Sequence, residues 1–231
     1  MSERDRTIIT FQRPSANDSE AWKDYWKQQG QPWRIEPEID VERQKYLARR
    51  RAIVPDIGQC IYPFKDIKLS RSDVEWLLAG HENGRGPVDW SDESQRERDG
   101  LDLRGANLCQ VDLSGLPLTR LRGGLTHSEW FPNDLNEHQR NAAILFMENA
   151  NVRGAQLQGA DLYRARLKSA DLYRAHLEGI DLRSANLEGA SLRSVNLERA
   201  YLFKANLKGV HLAEANLKGT TSQWRTWREL I

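Results

Sequence analysis

The sequence predicts a mainly β fold, a solenoid of short stacked coils, and three observations predict it. Residues 150–219 divide into fourteen five-residue words in unbroken register. Each word is centred on an aliphatic residue: Val152, then Leu157, Leu162, Leu167, Leu172, Leu177, Leu182, Leu187, Leu192, Leu197, Leu202, Leu207, Leu212 and Leu217. Two residues before each centre stands Ala, replaced only by Ile180, Val195 and Val210. A period of five excludes the ordinary elements. On an α-helix five residues rotate by about 500°, which scatters the leucines around the axis. On a straight strand an odd repeat flips the buried face at every word. A chain that turns after each word buries both the small residue and the centre, which stand two apart and share a face. The leucines then form a filled core, and function is left to the outer surface.

The remaining word positions supply the corners. Gly ends the words at 154, 159, 179, 189, 209 and 219, and Gly adopts turn dihedrals at little cost. Asp or Asn precedes the centre at 151, 161, 171, 181, 186, 196, 206 and 216, where a short side chain can accept from a nearby turn amide. Four further words run through residues 101–120, from Leu101-Asp102-Leu103 to Leu116-Pro117-Leu118.

This word resembles that of the pentapeptide-repeat family, usually written A(D/N)LXX, over residues 101–120 and 150–219. The resemblance implies a right-handed quadrilateral β-helix with four words per coil, so that every twentieth residue stacks at about the 4.8 Å inter-strand spacing. Residues 101–120 would be a first coil and 150–219 the main stack.

The elements outside the words follow in chain order. Residues 1–17 are polar and read as a disordered arm. A helix begins near Ser19, with Trp22 and Trp26 on one face, and ends at Gly30. A second spans 39–53, on Ile39, Tyr46, Leu47 and Ile53, and stops before Pro55. Ile61-Tyr62-Pro63-Phe64 is a buried connector. A third helix starts at Ser70, with Asp73 completing a capping arrangement, and stops at Gly80. Residues 81–100 are a polar linker with one anchor, Trp90. Residues 18–100 together form a helical region that covers the first coil's exposed edge. Residues 121–149 break the register, since 49 residues separate the centres 103 and 152, and form a helical excursion with a capping pair at Thr126 and Glu129 and a helix over 134–146. Residues 220–231 leave the pattern. Trp224, Trp227 and Ile231 recur at helical spacing and make either a cap over the last coil or the seam of a homodimer; gyrase-protecting members of the resembled family dimerise through this end.

Composition narrows the function class. Charged residues are 29% and hydrophobic ones 39% of the 231, and no apolar run approaches the roughly 18 residues of a membrane span. The start Met-Ser-Glu-Arg-Asp-Arg has no apolar signal core, and Cys60 and Cys109 match no metal or redox spacing. The expectation is a cytoplasmic protein with reduced thiols, no membrane contact and no cofactor. His81, His127, His138, His176 and His211 share no metal-ligand spacing, and no phosphate-binding loop or nucleophile elbow occurs. Asp161 and Asp181 share a face one coil apart, but they stand at the turn-forming position, which already accounts for them.

With twenty residues per coil, one outer column reads Arg153, Tyr173, Arg193 and the opposite one Tyr163, Arg183, Phe203. These columns can be cation–π ladders along the stack or a candidate interaction surface, together with Trp130 of the excursion. The best-characterised members of the resembled family bind DNA gyrase or topoisomerase IV through an acidic, DNA-like surface. Residues 150–219 carry 11 Lys and Arg against 7 Asp and Glu, a net +4 that departs from that pattern. The sequence therefore predicts a non-catalytic scaffold that meets a protein partner. A topoisomerase-binding protector and a direct nucleic-acid binder are the alternatives.

Overall fold

A computed structural model describes residues 12–130 and 135–222; the C-terminal residues Trp224, Trp227 and Ile231 lie outside the described residues, as does most of the N-terminal arm. The chain divides into two compact units, 1–38 and 39–231.

The first unit is organised by α1 (Ser19–Gln28). Asp18 caps it by accepting from the Ala21 amide at 3.0 Å. Trp22 and Trp26 are buried and stack at 5.5 Å. Each indole N–H is satisfied by backbone outside the helix: Trp22 donates to the Ser15 carbonyl at 3.0 Å and Trp26 to the Glu36 carbonyl at 2.8 Å. The two rings thus tie both flanks to the helix. The Arg34 guanidinium closes the other side, 3.4 Å from the Trp26 ring centroid.

The second unit holds the solenoid. No extended strand forms among the described residues. The chain pairs instead through single-residue parallel bridges in four columns. The first column runs through Asp102, Arg122, Asp161, Asp181, Tyr201 and Thr221, and the second through Asn107, Phe146, Arg166, Asn186 and Asn206. The third runs through Asp112, Asn151, Asp171, Ser191 and His211, and the fourth through Pro117, Gln156, His176, Asn196 and Asn216. Strands shrink to one residue because each word turns immediately: the word-ending residue has positive φ, as at Gly179 (66°) and Ser184 (57°), in every word but 121–125. Hydrogen bonds run in both directions between coils. The Leu182 amide donates to the Tyr201 carbonyl and the Asp181 amide to the Ala160 carbonyl, both at 2.9 Å. Leu157 through Leu207 are at most 3% exposed, whereas Leu212 and Leu217 in the last described coil are half-buried.

The expected boundaries at 121–149 are corrected. Residues 121–125 and 145–149 are themselves words of the second coil, because Arg122 bridges Asp102 and Asp161 while Phe146 bridges Asn107 and Arg166. The stack is continuous, and only 126–144 leave it. The helix expected over 134–146 is the shorter Glu137–Ala142. Gly123 stands where a centre leucine belongs, and a Cβ there would lie 2.7 Å from the Leu145 and Leu162 Cδ2 atoms. Leu145 in turn stands where other words carry Ala. A large and a small side chain have exchanged places across one corner, so interior volume is kept.

The first coil's open edge is covered by residues 39–80. These include α2 (Val41–Arg51) and α3 (Arg71–Ala79), the latter with a full Ser70/Asp73 capping box. Residues 66–69 pair with the second column: the Leu69 amide donates to Asn107 and the Asn107 amide to Ile67. On the third column the Arg71 guanidinium donates to the carbonyls of Asp112 and Ser114, at 3.3 and 3.0 Å. In the next coil the equivalent carbonyls, of Asn151 and Arg153, accept from the amides of Leu113 and Gly115. One side chain therefore replaces two backbone donors.

Candidate functional site

The described parts of the excursion, 126–130 and 135–143, are fastened to the rest of the unit at both ends. Arg104, 1% exposed, donates to Asp102 and, at 2.9 Å, to Glu129. Glu129 also accepts from Arg122 and from the Thr126 amide at 2.8 Å. Burial pushes the Glu129 carboxyl up, but the Thr126 amide, Arg104 and Arg122 outweigh it and hold its pKa below the usual range. The far end is held by Arg164 on Glu137 and by Gln139 on the Gly58 carbonyl. Ala142, Ala143 and Leu125 pack with Cys60 and Tyr62 of the connector.

The basic–aromatic columns separate on inspection. On the third column Arg153 lies 4.6 Å from the Tyr173 centroid and pairs with Asp171 at 3.0 Å, so its charge is engaged within the stack. Such pairs contribute about 0.2–1 kcal/mol each. Arg193 is exposed beside His211, Ala213 and Glu214 in a shallow depression. On the first column Tyr163 packs against the Cys60–Tyr62 cluster, which withdraws it from the expected surface. The covering segments come from far along the chain, so local spacing carries no sign of them. Arg183 reaches Tyr163 at 5.9 Å and pairs with Asp181. Phe203 and Tyr201 are 48% and 47% exposed, unusual for large apolar rings. The Trp130 side chain lies outside the described residues, although Trp130 ends the single-turn helix His127–Trp130.

Between these groups the first face holds a groove of about 540 Å³ lined by Trp90, Arg120, Gly159, Asp161, Gly179, Asp181, Arg183 and Tyr201. Its floor is bare because two successive coils end their words in glycine. The Trp90 ring and Arg120 lie over Gly159, where a Cβ would stand 3.3 Å from Trp90 Cζ3 and 3.1 Å from Arg120 Cδ.

Asp161 is the feature that sequence reasoning missed. Every other Asp or Asn at a bridging position accepts from the amide two residues on: Asp102, Asn107 and Asp112 in the first coil, Asn151, Asp171 and Asp181 in the next three, and Asn186, Asn196, Asn206 and Asn216 beyond. Asp161 makes no such bond, and among the described residues its carboxylate accepts none. Its assignment as a turn former is therefore corrected. Burial first, and then the Asp181 carboxylate one coil away, push its pKa up to about 6, against the pull of Arg120 and Arg122.

Among the described residues the other titratable groups offer no convergent set. Cys109 donates its thiol proton to Glu148 at 2.9 Å, and burial raises its pKa, which leaves it a thiol rather than a nucleophile. His176 and His211 are exposed on different columns. Among the described residues no cluster of three His, Cys, Asp or Glu could hold a metal ion, and no helix is long and apolar enough to cross a membrane.

Comparison with known proteins returns one family, pentapeptide repeats, whose profile matches residues 147–183 and 180–219. Among solved structures, a pentapeptide repeat protein from the Arabidopsis thaliana thylakoid lumen is 24% identical, with 52% of this chain and 63% of that one covered at a TM-score of 0.27. Rfr23 from the cyanobacterium Cyanothece 51142 is 27% identical, with 51% and 87% covered at a TM-score of 0.21. QnrB1, a plasmid-mediated fluoroquinolone resistance protein, is 17% identical, with 50% and 60% covered at a TM-score of 0.29. This chain thus spans less than two thirds of the first of these relatives. No curated protein matches it.

Proposed function

We propose, from the premise that this chain belongs to the pentapeptide-repeat family through residues 147–219, that it is a non-catalytic scaffold which binds a protein partner on the outside of its solenoid. The observation that carries this reading is the filled interior. Leucines from 157 to 207 are at most 3% exposed, so the axis holds no chamber for a substrate, and recognition falls to the faces and to the fastened excursion. The clamp on Glu129 supports a preformed first turn of the excursion, which lowers the ordering cost of binding there.

The same reading winds the solenoid right-handed and sets the protein in the cytoplasm. It gives residues 220–231 the task of covering the last coil, alone or in a homodimer, which the half-buried Leu212 and Leu217 support. The topoisomerase-protecting alternative has less support, because residues 150–219 are net basic and do not imitate phosphates. Direct nucleic-acid binding also has less, since Arg153 and Arg183 are already paired with Asp171 and Asp181.

The test is affinity purification from the native host, comparing the intact chain with one in which residues 126–143 are replaced by a short linker. The reading expects a specific protein to be retained by the intact chain and lost or depleted with the variant. Recovery of nucleic acid alone, or catalytic turnover by the purified chain, would overturn it.

A further inference from the structure

We propose that the groove on the first face seats a cationic side chain, arginine or lysine, presented by an extended basic segment of the protein partner. The inference rests on the scaffold reading and adds the chemistry of the contact.

Four observations converge on it. The Asp161 carboxylate abandons the turn bond that ten equivalent residues make, and it accepts no hydrogen bond among the described residues. An ionised carboxylate is acceptor-only, so the missing partner is an N–H donor, and a charged one offsets its burial best. The neighbouring cations act on it through their charge, but none donates a hydrogen bond to it among the described residues: Arg183 is paired with Asp181, Arg122 with Glu129, and Arg120 directs its Nε toward the Arg98 carbonyl at 3.4 Å. The walls are aromatic, with Trp90, whose ring already has the Arg96 guanidinium 5.3 Å from its centroid, at one side and the exposed Tyr201 at the other, and a guanidinium or ammonium group packs favourably on such rings.

The surroundings select the sign of the guest and its shape. The segment that carries Trp90 also exposes Asp89, Asp92 and Glu93, so an approaching basic peptide meets acidic residues. An anion would face the Asp161 carboxylate, while the Arg183 charge is already paired with Asp181. Two carboxylates alone are too few ligands for a divalent ion. At Gly179, where nothing lies within 4 Å of a Cβ position, a peptide backbone can lie close to the coils. Finally, Asp161 is held in an unfavourable state in the free protein, as its raised pKa shows. A residue that costs stability in a fold otherwise regular at this position is expected where binding recovers the cost.

Fluorescence polarisation with a labelled peptide of alternating arginine and glycine tests the groove on the full chain. A peptide with glutamate in place of arginine serves as the probe of opposite charge. Saturable binding of the arginine peptide only is expected. Asp161→Asn should weaken it about tenfold, the scale of one charge-assisted hydrogen bond, and Trp90→Ala should weaken it severalfold. Asp171→Asn removes the same charge from the opposite face and should change nothing. Asp161→Asn leaves the core untouched, so loss of binding cannot be put down to unfolding, and circular dichroism of each variant checks this. Equal binding by the wild type and Asp161→Asn, equal loss in Asp161→Asn and Asp171→Asn, or no binding at all would overturn the assignment. If the native-host partner is lost on replacing 126–143 yet kept by Asp161→Asn, the scaffold stands and the groove falls.

Discussion

Leu182→Ala probes the interior at its most enclosed point. Leu182 is 0% exposed in the fourth of five stacked coils. Its own amide is tied to the Tyr201 carbonyl, and that of Asp181 to Ala160, each at 2.9 Å. Truncation removes most of a buried isobutyl group, worth about 2 kcal/mol at roughly 0.8 kcal/mol per methylene. The cavity adds to this, because coils held on both sides by hydrogen bonds cannot close over it. The total is about 3–4 kcal/mol. Leu212→Ala makes the same chemical change in the last described coil, where the side chain is only half-buried, and should cost about 1–2 kcal/mol. Urea unfolding followed by far-ultraviolet circular dichroism measures both, with unchanged m-values as the check that only stability has moved. Costs below about 1 kcal/mol at both sites, or a larger cost at Leu212, would refute the converging-leucine geometry. Leu182→Asp should abolish the fold, since it places an unpaired charge in the same position.

Three further outcomes follow from the site. The Asp161 carboxyl is raised from 3.8 to about 6, so the native state binds its proton more tightly than the unfolded chain. Its contribution is therefore most favourable below pH 4 and declines as pH rises through about 6. Asp161→Asn should remove that decline and raise stability at pH 7 by about 1–3 kcal/mol; an unchanged or lower melting temperature would count against a strained carboxylate. Gly159→Ala and Gly179→Ala differ in contacts but hardly in φ, at 62° and 66°. Both should lose about 1 kcal/mol to backbone strain. Only Gly159→Ala should also displace Trp90, which quenching of tryptophan fluorescence by iodide will register; equal quenching in the two would reject the seat described for that ring. Glu129→Ala leaves the buried Arg104 with Asp102 as its remaining carboxylate and should cost about 2–3 kcal/mol, with faster proteolysis of 126–143. A variant that melts and resists protease like the parent would show that the clamp is idle.

Much of the solenoid was legible because its signal is periodic. Leucines five apart admit no helix and no straight strand, and the turn-forming glycines agree with them. The second coil was not legible at its seam. Gly123 and Met147 occupy centre positions there, and Leu145 an alanine position, so the words dropped out of the pattern although their backbones pair normally. The site was less legible still. Asp161 has the same spacing as its ten neighbours, and only its missing hydrogen bond distinguishes it. Trp90 was visible as an anchor, but what it anchors to lies some seventy residues on, at Gly159. Tyr163 was read as an outer residue because nothing local announces the connector that covers it.

Amide hydrogen exchange, resolved residue by residue, addresses the stacked-coil claim most directly. Through residues 150–205 the centre amide donates to the next coil, as Leu162 does to Asp181 and Leu167 to Asn186, whereas the residue after it donates to no backbone carbonyl and at most to an Asp or Asn side chain, as Tyr173 does to Asp171; Gln158, Tyr163 and Lys168 lack even that bond. The account predicts protection that rises and falls with a period of five through residues 150–205, slowest at the leucines and fastest just after them. Protection with the unbroken character of an α-helix, or with no five-residue modulation, would contradict it.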